Sequence, residues 1–367
     1  PLGLPKDLDA ASAILQAEDR RELTEALLRL SGSPEASVRG RIALAIGRVG
    51  LPAGYLRLLE MVRDPEPSVR ALAAFGLGLL ELDLEPTLSA ATGTRIAQRL
   101  ITLLDDPEHV VITQALWALG IRGDPLAVSA VAMVLKDASR PPWVLEAALG
   151  AWWRLPGASP QVAVPHLASK EASVRFAAAR TLQRLADPDA MPALSSALGD
   201  PDPLVRVAAM RGLHGAPVSV ANRYLTTFLK DDDWRVVCAA LKWTIALWQR
   251  EAEVGDEVFT AVLWASANRD RHVQRLALET LAWAPGRFSV PEDRVMIDIR
   301  SADASKRSSA VAALSVGAGK LAGKGLDAVR DVYGIAAPPR ELETFKGPAM
   351  LATAPLEAAG VGRALVA

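Results

Sequence analysis

Cysteine is nearly absent from this chain. A single thiol, Cys238, excludes an intrachain disulfide. It sits in "RVVCAALKW", an apolar helical pattern in which the expectation is a buried, inert thiol. An excess of either charge is missing too: 41 basic side chains face 42 acidic ones, for a net charge of -1. That balance offers no global field to gather nucleic acid or an anionic membrane surface. Long apolar runs are also lacking. The uncharged apolar run "PLAVSAVAMVL" has 11 residues, too few to span a bilayer, so no membrane insertion is expected. Aromatics make up only 5% of a chain that is 50% apolar. Alanine and leucine dominate instead, which favours closely packed helices over strands.

What is present is repetition. "DPEPSVRALAAFGLG" at 64–78 has a weaker copy in "SPEASVRGRIALAIG" and another in "DPDPLVRVAAMRGLH". Aligned on their valine, the copies fall at Val38, Val69, Val110, Val144, Val174, Val205, Val236, Val273 and Lys306. The steps are 31, 41, 34, 30, 31, 31, 37 and 33 residues, a near-constant period of the kind solenoids have. Apolar or small residues recur at offsets 0, 4, 5 and 8, as in Val205, Ala209, Met210 and Leu213, which is one face of a helix. A Gly or Pro break follows, then a second amphipathic helix, then Asp or Asp-Pro. Asp caps the next helix, Pro is tolerated in its first turn, and Gly ends the first helix in a left-handed conformation. Two short helices cannot bury their apolar faces alone, whereas stacked pairs can.

An arginine follows the valine at Arg39, Arg70, Arg175, Arg206 and Arg307 and is displaced by one place at Arg235. An exposed position could take any charge. Repeated arginine therefore suggests a structural ladder, with each guanidinium bridging to an Asp or a helix-end carbonyl of the adjacent repeat.

These copies resemble short bacterial HEAT repeats, of the kind also found in phycobilin lyase-like proteins. The resemblance covers about residues 31 to 336. It implies an all-α solenoid of about nine helix pairs in a right-handed superhelix. The opening stretch "ASAILQAEDRRELTEALLRL" is similar to the start of bacterial proteins that join a HEAT array to a cyclophilin-type prolyl isomerase domain. That likeness implies export, and without it a cytoplasmic chain is expected. The 367 residues contain neither the Phe-His-Arg nor the Gln-Gly-Gly signature of that catalytic domain. The expected organisation is a charged capping helix within residues 1–30, an array over 31–336 and an irregular tail over 337–367.

Chemistry is hard to find in the pattern. His109, His166, His214 and His272 lack metal spacing, and His109 and His272 share a repeat position one before the valine. "SVGAGKLAGKG" at 315–325 fails as a phosphate loop, because neither Lys320 nor Lys324 is followed by Ser or Thr. Acidic pairs such as Asp105-Asp106 fall at turns between repeats, where capping explains them. HEAT-like DNA glycosylases use a basic cradle, and the charge balance argues against one here. No catalytic residue, metal or cofactor is therefore expected.

The tryptophans stand out. Trp117, Trp143, Trp152, Trp153, Trp234, Trp243, Trp248, Trp264 and Trp283 fall in repeats three, four, seven and eight, with Trp117 and Trp243 both at offset 7. Irregular packing between repeats accounts for most of them. Trp143, Trp152 and Trp234, together with Arg223 and Tyr224 of the second-helix stretch "NRYLTTFL", are the candidates for contacting a peptide or protein. The expectation is a non-enzymatic scaffold for protein–protein interaction. The alternatives are the arm of a larger prolyl isomerase and a lyase-like chromophore-handling protein.

Overall fold

The computed structural model describes residues 8–80, 86–266 and 268–284. Among them are seventeen α-helices and no strand. The chain divides between Ala197 and Leu198 into two compact units. The first holds α1 (Leu8–Arg20), α2 (Glu25–Leu30), α3 (Ala36–Val49), α4 (Tyr55–Met61), α5 (Pro67–Leu79), α6 (Pro86–Thr102), α7 (His109–Arg122), α8 (Ala127–Lys136), α9 (Pro142–Trp152), α10 (Pro160–Ala163), α11 (Ala172–Leu185) and α12 (Met191–Ala197). Its odd-numbered helices from α1 to α11 pack side by side as one layer, and α6, α8 and α10 pack in a second. The other unit repeats the plan: α13 (Pro203–Gly212), α15 (Trp234–Gln249) and α17 (Arg271–Ala282) form one layer, with α14 (Val218–Phe228) against α16 (Asp256–Ala265). The fold is an all-α solenoid of helix pairs.

One rule generates the entry to seven of the first-layer helices, and α9 departs from it because Pro141 has no N–H to donate. Five residues before the buried valine stands a short polar side chain whose oxygen accepts from the backbone N–H two residues on. The donors are Glu35 to Ser33, Glu66 to Asp64, Glu108 to Asp106, Glu171 to Ser169, Asp202 to Asp200, Asp233 to Asp231 and Asp270 to Asn268, at 2.8–3.2 Å. Such a turn fixes the direction of the chain as it enters the helix.

The rule corrects the register of the third repeat. Val110 is 50% exposed, whereas Val111 is fully buried and lies five residues after Asp106. From Val69 to Val111 and on to Val144 the steps are 42 and 33 residues. Two adjacent valines gave the pattern no way to choose, and the capping Asp makes the choice. His109 and His272 consequently do not share a position.

The first layer packs closely because small residues meet across it. A Cβ on Gly47 would lie 2.5 Å from Gly76 Cα, one on Gly78 2.8 Å from Ala118 Cα, and one on Gly120 2.7 Å from Ala151 Cα. All three glycines stand nine residues after their valines and face the seventh position of the next repeat. After Val144 that ninth position is Trp153, the residue that ends α9, and Thr181 of α11 donates instead to the Leu149 carbonyl at 2.8 Å.

Residues 8–30 form two helices where the sequence pattern reads as a single capping helix, because Arg21 adopts φ 52° and the Thr24 hydroxyl accepts from the Leu27 N–H, starting a new helix. Lys306 and Arg307, the loop at 315–325 and the tail at 337–367 lie outside the described residues.

Candidate functional site

The repeated arginines sit at the seams between repeats. Arg39 donates Nε and Nη2 to the two oxygens of Asp64 at 2.7 and 2.8 Å, and Nη1 to the carbonyls of Ser33 and Pro34. Arg70 does the same to Asp106, at 2.8 and 2.9 Å, and to the carbonyls of Asp64 and Pro65. In the second unit Arg206 reaches Asp231 at 2.7 Å and the Asp200 and Pro201 carbonyls. Arg175 donates to the Ser169 and Lys170 carbonyls. Each fork thus ties the entry turn of its own repeat, and those of Arg39, Arg70 and Arg206 also tie the capping Asp of the next one. Burial pushes the Asp64 and Asp106 carboxyls up, but the guanidinium bonds and the capping N–H outweigh it and hold both below the usual range. Arg235 does not join this series. It stands one residue before its valine, not one after, and pairs with Asp233 of its own turn at 2.7 Å.

The tryptophan candidates separate. Trp152 is 2% exposed and donates its indole N–H to the Ser159 carbonyl at 2.9 Å, so it belongs to the core and cannot meet a partner. Trp143 and Trp234 are half-exposed, each beside an imidazole of a neighbouring repeat: His109 at 6.2 Å and His272 at 6.1 Å between centroids. Arg223 is exposed over Tyr224, which stacks on Phe228. Trp143 belongs to the first unit, and Arg223 and Tyr224 belong to the second. Trp243 is fully buried at the seventh position, whereas Trp117, with the corrected register, occupies the sixth. Cys238 is only half-buried, and burial pushes its thiol up, so it stays protonated and a poor nucleophile at neutral pH.

The sixth position carries the feature that the sequence reading missed. In successive repeats it holds Phe75, Trp117, Gly150 and Arg180. Phe75 and Trp117 stack at 4.4 Å. At the next repeat Gly150 supplies no side chain, and a Cβ built there would touch nothing within 4 Å. The result is a cleft of about 280 Å³ lined by Gln114, Trp117, Ala147, Gly150 and Arg154. Arg154 donates to the Gly150 carbonyl, and its guanidinium lies 4.1 Å over the Trp153 ring, with Arg184 at 5.2 Å. Burial, then the charges of Arg184 and Arg180, pulls Arg154 below the ordinary guanidinium value, although it remains a cation at neutral pH. An apolar floor beside fixed cations can hold a side chain and orient it. The one hydroxyl that lines the cleft, Thr113, donates to the Val110 carbonyl of its own helix.

A second hollow, of about 450 Å³, lies between α4 and α6 and is lined by Leu56, Leu59, Arg63, Arg95, Gln98 and Arg99 among others. Among the described residues no three His, Cys, Asp or Glu side chains converge as a metal ion requires. Nor is any described helix long and apolar enough to cross a membrane.

The family described as HEAT repeats matches residues 55–151 and 160–246. No curated protein matches the chain. Among solved structures, the chain is similar to YibA of E. coli at 17% identity and TM-score 0.52, covering 75% of this chain and 97% of that one. It is also similar to a chain in the structure of Kap95p with RanGDP, at 13% identity and TM-score 0.62. That match covers 98% of this chain and 54% of the other. A further likeness, to the CpcE–CpcF phycocyanin lyase complex of Nostoc sp., has 21% identity and TM-score 0.40, covering 65% and 92%.

Proposed function

Since this chain belongs to the HEAT-repeat family, we propose that it is a non-enzymatic scaffold that holds a protein partner on its first-layer helices. The observation that carries this reading is the cleft at Gly150. Stacked repeats ordinarily fill each position along the layer, and here one side chain is left out beside an exposed edge of Trp117. Tryptophan and arginine flanking a hollow are the residue types that concentrate binding energy in interfaces. An apolar or aromatic side chain of the partner occupies the cleft, and Arg154 sets its orientation by donating to a neighbouring carbonyl or carboxylate. Arginines 180 and 184 then lie along the path of the bound segment. Trp143, half-exposed at the entry of the same helix, extends the contact surface.

The test is to pan a displayed random-peptide library on the whole chain and compare variants. Gly150→Phe fills the hollow and Trp117→Ala removes its aromatic side. Enriched peptides should share an apolar anchor and lose about tenfold or more in affinity on either variant, as loss of a buried anchor implies. Peptides indifferent to both substitutions, with melting temperature unchanged, would remove the cleft from the binding surface.

A further inference from the structure

The hollow between α4 and α6 lies in the other helix layer and is independent of the Gly150 cleft. Three cations line it: Arg63 in the turn after α4, and Arg95 and Arg99 one helical turn apart on α6. Among the described residues no carboxylate pairs with any of the three. The nearby acids are already committed. Glu60, which also lines the hollow, accepts from Arg57 at 2.8 Å, and Asp64 is held by both nitrogens of Arg39 and by the Glu66 N–H. Three like charges gathered with only the solvent-exposed Glu60 carboxylate beside them raise the energy of the free protein. Burial, and after it the charge of Arg63, lowers the pKa of Arg99.

We propose that the α4–α6 hollow is a docking site for an acidic peptide segment of a partner protein, with carboxylates on Arg63, Arg95 and Arg99 and an apolar side chain against Leu56 and Leu59. Guanidinium forks match carboxylates in shape and charge, and adjacent leucines are of no use to a purely ionic ligand. Leu56 is 51% exposed at this site. A nucleic acid is disfavoured because none of the residues lining the hollow offers an aromatic face for a base to stack on.

The experiment is a fluorescence-anisotropy titration of the whole chain with a short labelled peptide alternating Glu with Leu. The same peptide carrying Gln for Glu, and a labelled oligothymidylate, serve as parallel probes. The Glu peptide should bind, weaken with added salt, and bind at least about tenfold better than the Gln peptide. Arg95→Glu, on an exposed side chain that the fold does not need, should cost about tenfold or more, and Arg99→Glu likewise. Arg29→Glu, which changes the same charge on an exposed residue of α2, should leave the affinity unchanged. Equal binding of the Glu and Gln peptides, indifference to Arg95→Glu, or tighter binding of the oligothymidylate would each overturn the proposal.

Discussion

At the scale of single residues, the seam arginines are the clearest case of a charge doing structural service. Arg70 spends all three of its nitrogens on partners, two on the Asp106 carboxylate and one on the carbonyls of its own entry turn. Both members of the pair are largely shielded, at 13% and 7% side-chain exposure. Removing the cation leaves a shielded carboxylate and two carbonyls short of donors. Arg70→Ala is therefore expected to cost about 2–3 kcal/mol. Arg57, whose bond to Glu60 is a solvent-exposed pair three residues apart on one helix, offers the contrast. Arg57→Ala should cost at most about 0.5 kcal/mol. Urea midpoints of the two variants check this, and equal shifts would mean that the seam pairs contribute no more than surface ones. Arg206 makes a single contact to Asp231, so its loss should fall between these limits.

At the scale of the helix, glycine has two opposite meanings within one layer. At Gly78 a side chain would collide with the backbone of α7, 2.8 Å from Ala118 Cα. At Gly150 it would enter open space. Gly78→Ala must therefore push two helices apart, at a cost of about 1–3 kcal/mol for overpacking. Gly150→Ala gains helix propensity without a clash and should stabilise by about 0.5–1 kcal/mol. Thermal melts of the two variants should move in opposite directions. A loss of stability in Gly150→Ala would show that the cleft is closed in solution. The same contrast explains α9: with Trp153 at the ninth position, α9 and α11 cannot meet glycine to backbone, and arginines gather around the partly buried ring instead.

For the molecule as a whole, these local devices predict how stability responds to acid. Asp64 and Asp106 titrate below their unfolded value of about 3.9. The stability they provide is complete above that value and is lost as pH falls through the folded one. The histidines act earlier. Burial lowers His214, which stacks on Trp243 at 5.8 Å, and burial lowers His166 against the opposing pull of a Leu135 backbone bond. Unfolding frees both to bind protons below about pH 6.5, so their contribution declines from there downward. Urea midpoints measured against pH at fixed ionic strength should fall in two stages, one below about 6.5 and one below about 4. A variant with His214→Gln and His166→Gln should lose the first stage and keep the second. An unchanged first stage would shift the acid response to other groups.

Periodicity, capping chemistry and composition were enough to settle the class of fold. Apolar spacing of helical type, Asp ahead of the repeats' first helices and the recurring arginine are local instructions, each read within one repeat, and they place the helices. The same local reading could not choose between Val110 and Val111, because both are apolar and β-branched, and only the Asp106 turn against the neighbouring repeat decides which is buried. It could not separate Trp152, buried with its N–H satisfied, from Trp143 nine residues earlier on the same helix. It missed both hollows for a related reason. Trp117 and Gly150 belong to different repeats, as do Arg63 and Arg99, and nothing in either local segment records the other's position. Those neighbours are set by how closely the helix backbones approach, through Gly47, Gly78 and Gly120, and so by packing across repeats, which no single repeat encodes.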